Sequence, residues 1–169
     1  GTLIRFAIVR DTYAAGDAGI LDAFDSVPHF NAWMADTVRP WMGGRVLEMG
    51  AGIGNLSRYL ARRRELYLAS DINEEHMARL RERMTHRPNF RAVRCDLTRA
   101  ADFEPLMQER LDTVVCLNVL EHVEDDAAGL ANMYRVLEPG GRAIVLVPEG
   151  MSIYGEFDRV LGHARRYSA

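Results

Sequence analysis

Three glycines at alternate positions, Gly50, Gly52 and Gly54, stand between an apolar run, Val46 to Met49, and a stretch with helical periodicity beginning at Asn55. A strand that turns through such a segment into a helix constrains a chain strongly, because the turn uses backbone conformations that favour glycine and leaves little room for side chains. N–H groups at the opening of the following helix then face whatever settles on the loop. The spacing narrows the ligand. A dinucleotide loop reads G-x-G-x-x-G, which would put the third glycine where Asn55 stands. Glu48, two positions before the first glycine, is a poor neighbour for a pyrophosphate and a good one for a cationic group. The loop suits a ligand with a positive end.

Strands and helices alternate beyond it. Leu66 to Ser70 is a β-type run closing on Asp71, which lies 71 − 50 = 21 positions after the first glycine, close to the spacing at which an acid grips ribose hydroxyls. Phe90 to Cys95 closes on Asp96, an acceptor suited to an exocyclic amine such as that of adenine. Asp112 to Leu117 and Ala143 to Val147 make a fourth and a fifth strand. Helices are predicted over Pro28 to Arg39, Asn55 to Arg64, Glu74 to Met84, Phe103 to Arg110 and Asp126 to Leu137. In the first, Phe30, Trp33, Met34 and Val38 form the core face; Asn73 caps the third; Pro139-Gly140-Gly141 stops the last. This order predicts an α/β fold, Rossmann-like and doubly wound, with a mostly parallel sheet and helices on both faces. Residues 1–27 read as a leader, with an apolar start at Leu3 to Val9 and a turn region around Ala15 to Gly19. Residues 28–169 read as one domain, its core at 44–148 and a tail at 149–169.

Composition excludes several classes. A chain of 169 residues, 48% hydrophobic and 27% charged, has the balance of one soluble globular domain. There is no apolar run of membrane-spanning length and no basic-then-apolar signal pattern, so a cytoplasmic location is expected. Cys95 and Cys116 have no CxxC spacing and read as packed free thiols. A net charge of −3 with dispersed basic residues predicts no nucleic-acid partner.

Five motifs in order, "VLEMGAGIGN", "SDIN", "RCDL", "NVLEHVEDD" and "VLEPGGRAIVLVP", resemble those of the class I S-adenosylmethionine-dependent methyltransferases over roughly residues 44–148. The resemblance implies S-adenosyl-L-methionine as cofactor and S-adenosyl-L-homocysteine as product. It implies a methionine pocket from Glu48, Gly50, Ala51, Gly52 and Gly54, with Glu48 supporting the network around the ammonium group. Asp71 would hold the ribose, Ile72 would pack on the adenine, Asp96 and the Leu97 backbone would read its edge, and Asn118 would line the methionine end. A sulfonium ligand carries no phosphates, so carboxylates at three strand ends do not repel it. A nicotinamide-dependent oxidoreductase fits less well, since the third glycine is misplaced. A non-catalytic cofactor-binding subunit would carry the same motifs.

Chemistry needs an acceptor side. "NVLEHV" is similar to the segment found in ubiquinone-biosynthesis O-methyltransferases, which makes His122 a candidate general base and Glu121 its orienting partner. The other reading has both residues merely capping a helix and lining the pocket. No metal is expected, because Glu121, His122, Glu124, Asp125 and Asp126 suit a helix opening on electrostatic grounds alone. In the tail, "LGHARRYS" resembles a segment of bacterial class I methyltransferases, some fused to glycosyltransferases. Tyr154, His163, Arg165, Arg166 and Tyr167 would then grip a small-molecule or lipid- or glycan-linked acceptor, with a solvated basic surface as the alternative. The family fold usually has two further strands after the fifth. The 169 − 148 = 21 residues beyond Pro148 are too few for both, so an incomplete fold is expected, and a start at Gly1 fits an excerpt. The apolar fifth strand would then need cover from the leader, the tail, a homodimer partner or a fusion partner.

Overall fold

The structure, a computed structural model, describes residues 16–168. The apolar start Leu3 to Val9 lies outside the described residues. In chain order the elements are α1 (Gly16–Asp25), α2 (Pro28–Val38), β1 (Arg45–Met49), α3 (Ser57–Leu60), β2 (Leu66–Asp71), α4 (Glu74–Met84), β3 (Phe90–Arg94), α5 (Ala100–Phe103), β4 (Leu111–Leu117), α6 (Asp126–Val136), β5 (Leu137–Leu146) and α7 (Glu156–Val160). The five strands form one parallel sheet in the order β3-β2-β1-β4-β5. The chain starts at the middle strand, winds out to β3, and returns to lay β4 on the other side of β1. The carboxyl ends of β1 and β4 therefore border the crevice where open α/β sheets bind ligands.

Alternation along the strands builds two cores. Val46, Tyr67, Ala69 and Val115 face one side, packed with Met34 and Val38 of α2 and with Met77, Leu80 and Met84 of α4. Leu47, Met49, Leu68, Val114 and Cys116 face the other, packed with Phe103, Met133 and Val136. Both faces are apolar because helices cover both. Both cysteines are free and buried in this second layer, and burial pushes each thiol up to about 12. At the amino end of the sheet Asp112 accepts hydrogen bonds from the Gly44 and Arg45 N–H groups at 2.8 and 3.0 Å. A Cβ at Gly43 would lie 2.2 Å from that carboxylate, so the Gly43-Gly44 pair permits a strand clamp as well as ending a helix.

Several local expectations need correction. The helix expected over Asn55 to Arg64 is a single turn, Ser57–Leu60, between tight turns. Gly54 at φ +86° delays its start and Arg63 at φ +59° closes the segment. The Gly/Asp-rich region near Ala15 to Gly19, expected as a turn, opens α1 instead. On α2 the buried residues are Asn31, Met34, Ala35 and Val38, while Trp33 is exposed and Phe30 half-buried. Phe103 to Arg110 divides into the end of α5 and a 3₁₀ segment, Glu104–Glu109. Pro139-Gly140-Gly141 lies within an irregular β5, where Leu111 pairs with Leu137 but Thr113 with Arg142. Val145 and Leu146 stay exposed on this edge strand, and the tail pairs Tyr167 with Glu149 rather than with β5. Among the described residues, no helix is long and apolar enough to cross a membrane.

The start of α4 follows the sequence. Asn73 Oδ1 accepts from the N–H groups of Glu75 and His76 at 2.9 and 3.2 Å. Asn73→Ala removes that cap and is expected to lower unfolding stability by about 1 kcal/mol, measurable in urea titrations.

Candidate functional site

The glycine loop leaves β1 with positive φ at all three glycines, +66° at Gly50, +54° at Gly52 and +86° at Gly54. Gly50 also has no space for a side chain, since a Cβ there would meet Val119 Cγ2 at 2.4 Å. The Gly52 N–H donates to Asp71 Oδ2 at 2.9 Å, tying the loop to the end of β2, while Asp71 Oδ1 accepts from the Asn73 N–H. A carboxylate has about four acceptor positions, so these two bonds leave capacity for a pair of hydroxyls. Next to it Ile72 is 59% exposed, an apolar side chain held open beside the loop. Asp96 follows β3, with Oδ1 accepting from Thr98 N and Oγ1, and Leu97 is buried beside it. Asn118 follows β4 in the left-handed region at φ +55°, its N–H bonded to Leu146 O at 2.9 Å.

Glu48 lies beneath the loop. It is buried, and its Oε2 accepts from Ser57 Oγ at 2.5 Å and Tyr67 Oη at 2.9 Å. Burial raises its pKa from 4.5 to about 7, although both hydrogen bonds favour the ionised form. Its hydrogen-bond partners are structural, so it braces the loop from below. Ala51 completes the bend, its N–H donating to Ser70 O at 2.8 Å.

No local pattern signals the role of α1. Leu21 faces Gly52, where a Cβ would meet its methyls at 3.1 Å, and Asn55 Nδ2 donates to Leu21 O at 2.8 Å. Asp22 pairs with Arg79 at 2.5 Å and Asp25 with Arg83 at 2.9 Å, fastening α1 to α4. Helix α1, within the stretch read as a leader, thus packs against the loop.

On the far side, the chain after β4 forms a 3₁₀ turn, Leu120–His122, before Asp125 caps α6. Glu121 is buried and burial raises its pKa to about 7, against a hydrogen bond from its own backbone. The tail folds back onto this turn. Ala164 N donates to Glu121 O at 2.7 Å, and Tyr167 Oη donates to Asp126 Oδ2 at 2.9 Å. The His122 and His163 rings meet edge to face with centroids 4.8 Å apart. Both arginines have carboxylate partners, Arg165 pairing with Asp126 at 2.8 Å and Arg166 with Asp158 at 2.7 Å. Tyr154 Oη donates to His163 O at 2.7 Å. Asp158, which the sequence analysis missed, organises the tail. Burial alone would raise its pKa, but bonds from Arg166, Gly155 and His163 hold it down at about 2. Its signal was spacing: an acid five residues before His163 and eight before Arg166, separated from them by a tight glycine turn at Gly162.

The donor set fits a cationic nucleoside better than a dinucleotide. Asp71 and Asp96 close two strands, the loop has positive-φ glycines, and α3 is too short to supply a helix N-terminus for phosphates. Known proteins agree. The family described as methyltransferase domain matches residues 47–143, more than half of the chain. The chain is 30% identical over 106 residues to a ubiquinone biosynthesis O-methyltransferase of Thiobacillus denitrificans, a match covering 63% of this chain and 45% of that protein. It is 34% identical over 110 residues to a ubiquinone/menaquinone biosynthesis C-methyltransferase of Stenotrophomonas maltophilia, covering 62% and 42%. The trans-methyltransferase CalH, solved in complex with SAH, superposes with a TM-score of 0.61 at 21% identity, covering 88% of this chain and 44% of that one, a likeness of fold. The chain spans less than half the length of these curated relatives.

The raised pKa of Glu48 gives a stability signature. The native state holds a proton there between about pH 4.5 and pH 7 that the unfolded chain releases, so this contribution is full below about pH 4.5 and is lost as pH rises through about 7. Glu48→Gln is neutral throughout. Between about pH 5 and pH 8 it is expected to lose about 2 kcal/mol less stability than the parent, checked by denaturant melts across that range.

Proposed function

The chain belongs to the methyltransferase domain family, and from that premise we propose that it is an enzyme transferring a methyl group from S-adenosylmethionine to a small-molecule or lipid- or glycan-linked acceptor, at oxygen. One observation carries the reading: the positive-φ loop after β1, Asp71 at the end of β2 and Asn118 after β4 lie at the carboxyl ends of three adjacent strands, with Glu121 and His122 following in the chain. When bound there, the cofactor supplies an electrophilic methyl on a positive sulfur.

Each residue has a part in this scheme. Asp71 holds the ribose hydroxyls with its remaining lone pairs, and Ile72 covers one face of the adenine. Asp96 and the Leu97 backbone read the adenine edge. Gly50, Ala51, Gly52 and Gly54 let the methionine part approach the backbone, Glu48 braces that loop, and Asn118 closes its far side. At the acceptor end Glu121 and His122 handle the acceptor's proton. His122 would take the proton that an acceptor hydroxyl gives up on receiving the methyl group, and Glu121 would orient it. Tyr154, His163, Arg165, Arg166 and Tyr167 form the acceptor wall. The ion pairs of the two arginines, with Arg165 also donating to Glu124 O and Arg166 to Glu149 O, favour a role in fixing that wall. The similarity to both O- and C-methylating proteins makes oxygen the finer claim, supported by a histidine beside a buried acid.

Asp71→Ala is expected to weaken S-adenosylmethionine binding by about 1.5–3 kcal/mol through loss of charge-assisted hydrogen bonds. Calorimetric titration reads this directly, and unchanged affinity would remove Asp71 from the site. His122→Ala is expected to lower methyl transfer to a bacterial metabolite extract about a hundredfold with cofactor affinity kept. Equal turnover in variant and parent would leave His122 a wall residue.

A further inference from the structure

Acids that open a helix need no metal, and the run 121–126 suggested none. Folding adds a residue from outside that run. Gly162, at φ +73°, turns the tail so that His163 returns to the segment after β4, and a Cβ at Gly162 would lie only 3.9 Å from His122 Nδ1. One ligand atom each from Glu121, His122 and His163 then falls within 4.8 Å of the others, a cluster found among the described residues.

Two further observations point to something between them. The Glu121 side chain is 1% exposed, and its Oε2 is buried with no hydrogen-bond partner. Buried carboxylate oxygens are rarely left bare. His163 is oriented from behind: its Nδ1 bonds Asp158 Oδ1 at 3.0 Å, and Asp158 is itself held by Arg166 Nε at 2.7 Å and Gly155 N at 2.9 Å. That leaves Nε2 as the ligand nitrogen. A carboxylate behind an imidazole is the usual support of a metal-bound histidine.

We propose that Glu121, His122 and His163 bind one divalent transition-metal ion of the zinc type, with a coordination position open to the acceptor. Two imidazole nitrogens and one carboxylate suit such an ion better than calcium or magnesium, which prefer oxygen alone. The site rests on the reading of this pocket as the acceptor end of a methyltransferase, and it alters how His122 serves that acceptor. An acceptor oxygen in the open position would lose its proton to solvent more readily because the ion polarises it, and His122, its lone pair given to the ion, would then serve as a ligand in place of the base.

The test is cobalt titration of the full chain after chelator treatment, followed by visible absorption, with zinc as competitor. The expected result is one equivalent of cobalt, displaced by zinc. Glu121→Gln and His163→Ala should each raise the cobalt dissociation constant about tenfold or more. Circular dichroism of the metal-free variants checks folding, and the near-isosteric Glu121→Gln decides if His163→Ala melts early. No saturable uptake, or uptake equal in parent and Glu121→Gln, overturns the site. S-adenosylmethionine affinity of the same metal-free samples separates the two readings. Cofactor binding without cobalt uptake removes the ion alone, whereas cobalt uptake without cofactor binding removes the methyl-transfer reading and keeps the metal site.

Discussion

The hydrogen bond from the Gly52 backbone to Asp71 joins a loop that no side chain could brace from within to the neighbouring strand of the sheet. It works because β1 and β2 are parallel and in register, so that Met49 stands beside Ser70 and both strands release the chain at the same height. Glu48, on β1, reaches Ser57 and Tyr67 under that loop. The loop is therefore held from the side by a half-buried carboxylate and from below by a buried one. Hydrogen bonds within the protein thus define the loop's geometry, and a loop fixed in this way loses less freedom on binding.

The sheet was legible in the sequence because each strand carries its own signal: apolar alternation, an acid at the carboxyl end, and a turn or helix start after it. Asn73 is a good case, since an N-cap depends only on residues two or three positions away. The helix after the glycine loop was misread because periodicity from Asn55 says nothing about Gly54 and Arg63, whose positive φ angles confine it to one turn. Trp33 was assigned to the core by sharing a helical face with Phe30, Met34 and Val38, but the buried face of α2 is Asn31, Met34, Ala35 and Val38. The place of α1 was illegible for a different reason. Its contacts, Leu21 to Gly52 and Asp25 to Arg83, span about thirty to sixty residues and leave no local pattern.

The tail shows the same limit at the functional site. Paired arginines read as a ready grip for an anion, yet Arg165 and Arg166 are matched by Asp126 and Asp158. Neither acid announces itself, one being the first residue of α6 and the other lying in a one-turn helix. What the pairs accomplish is mechanical. They press residues 163–167 onto the turn Leu120–His122, helped by Tyr167 Oη on Asp126 and by Ala164 N on Glu121 O. The turn after β4 thereby acquires a cover from a segment some forty residues later in the chain.

Two glutamates, Glu48 and Glu121, lie buried on opposite sides of the crevice, and burial raises the pKa of both to about 7. Their surroundings nevertheless separate their tasks. Glu48 has hydroxyl donors from Ser57 and Tyr67 on one oxygen, so its carboxyl braces the loop. Glu121 keeps a bare buried oxygen facing two histidines, an arrangement that costs stability unless something electropositive completes it. A fold selected for packing alone would place an apolar residue there, as it does at Leu120 next door. On the proposed reading, the carboxylate that the core could best do without is the one that would serve the acceptor.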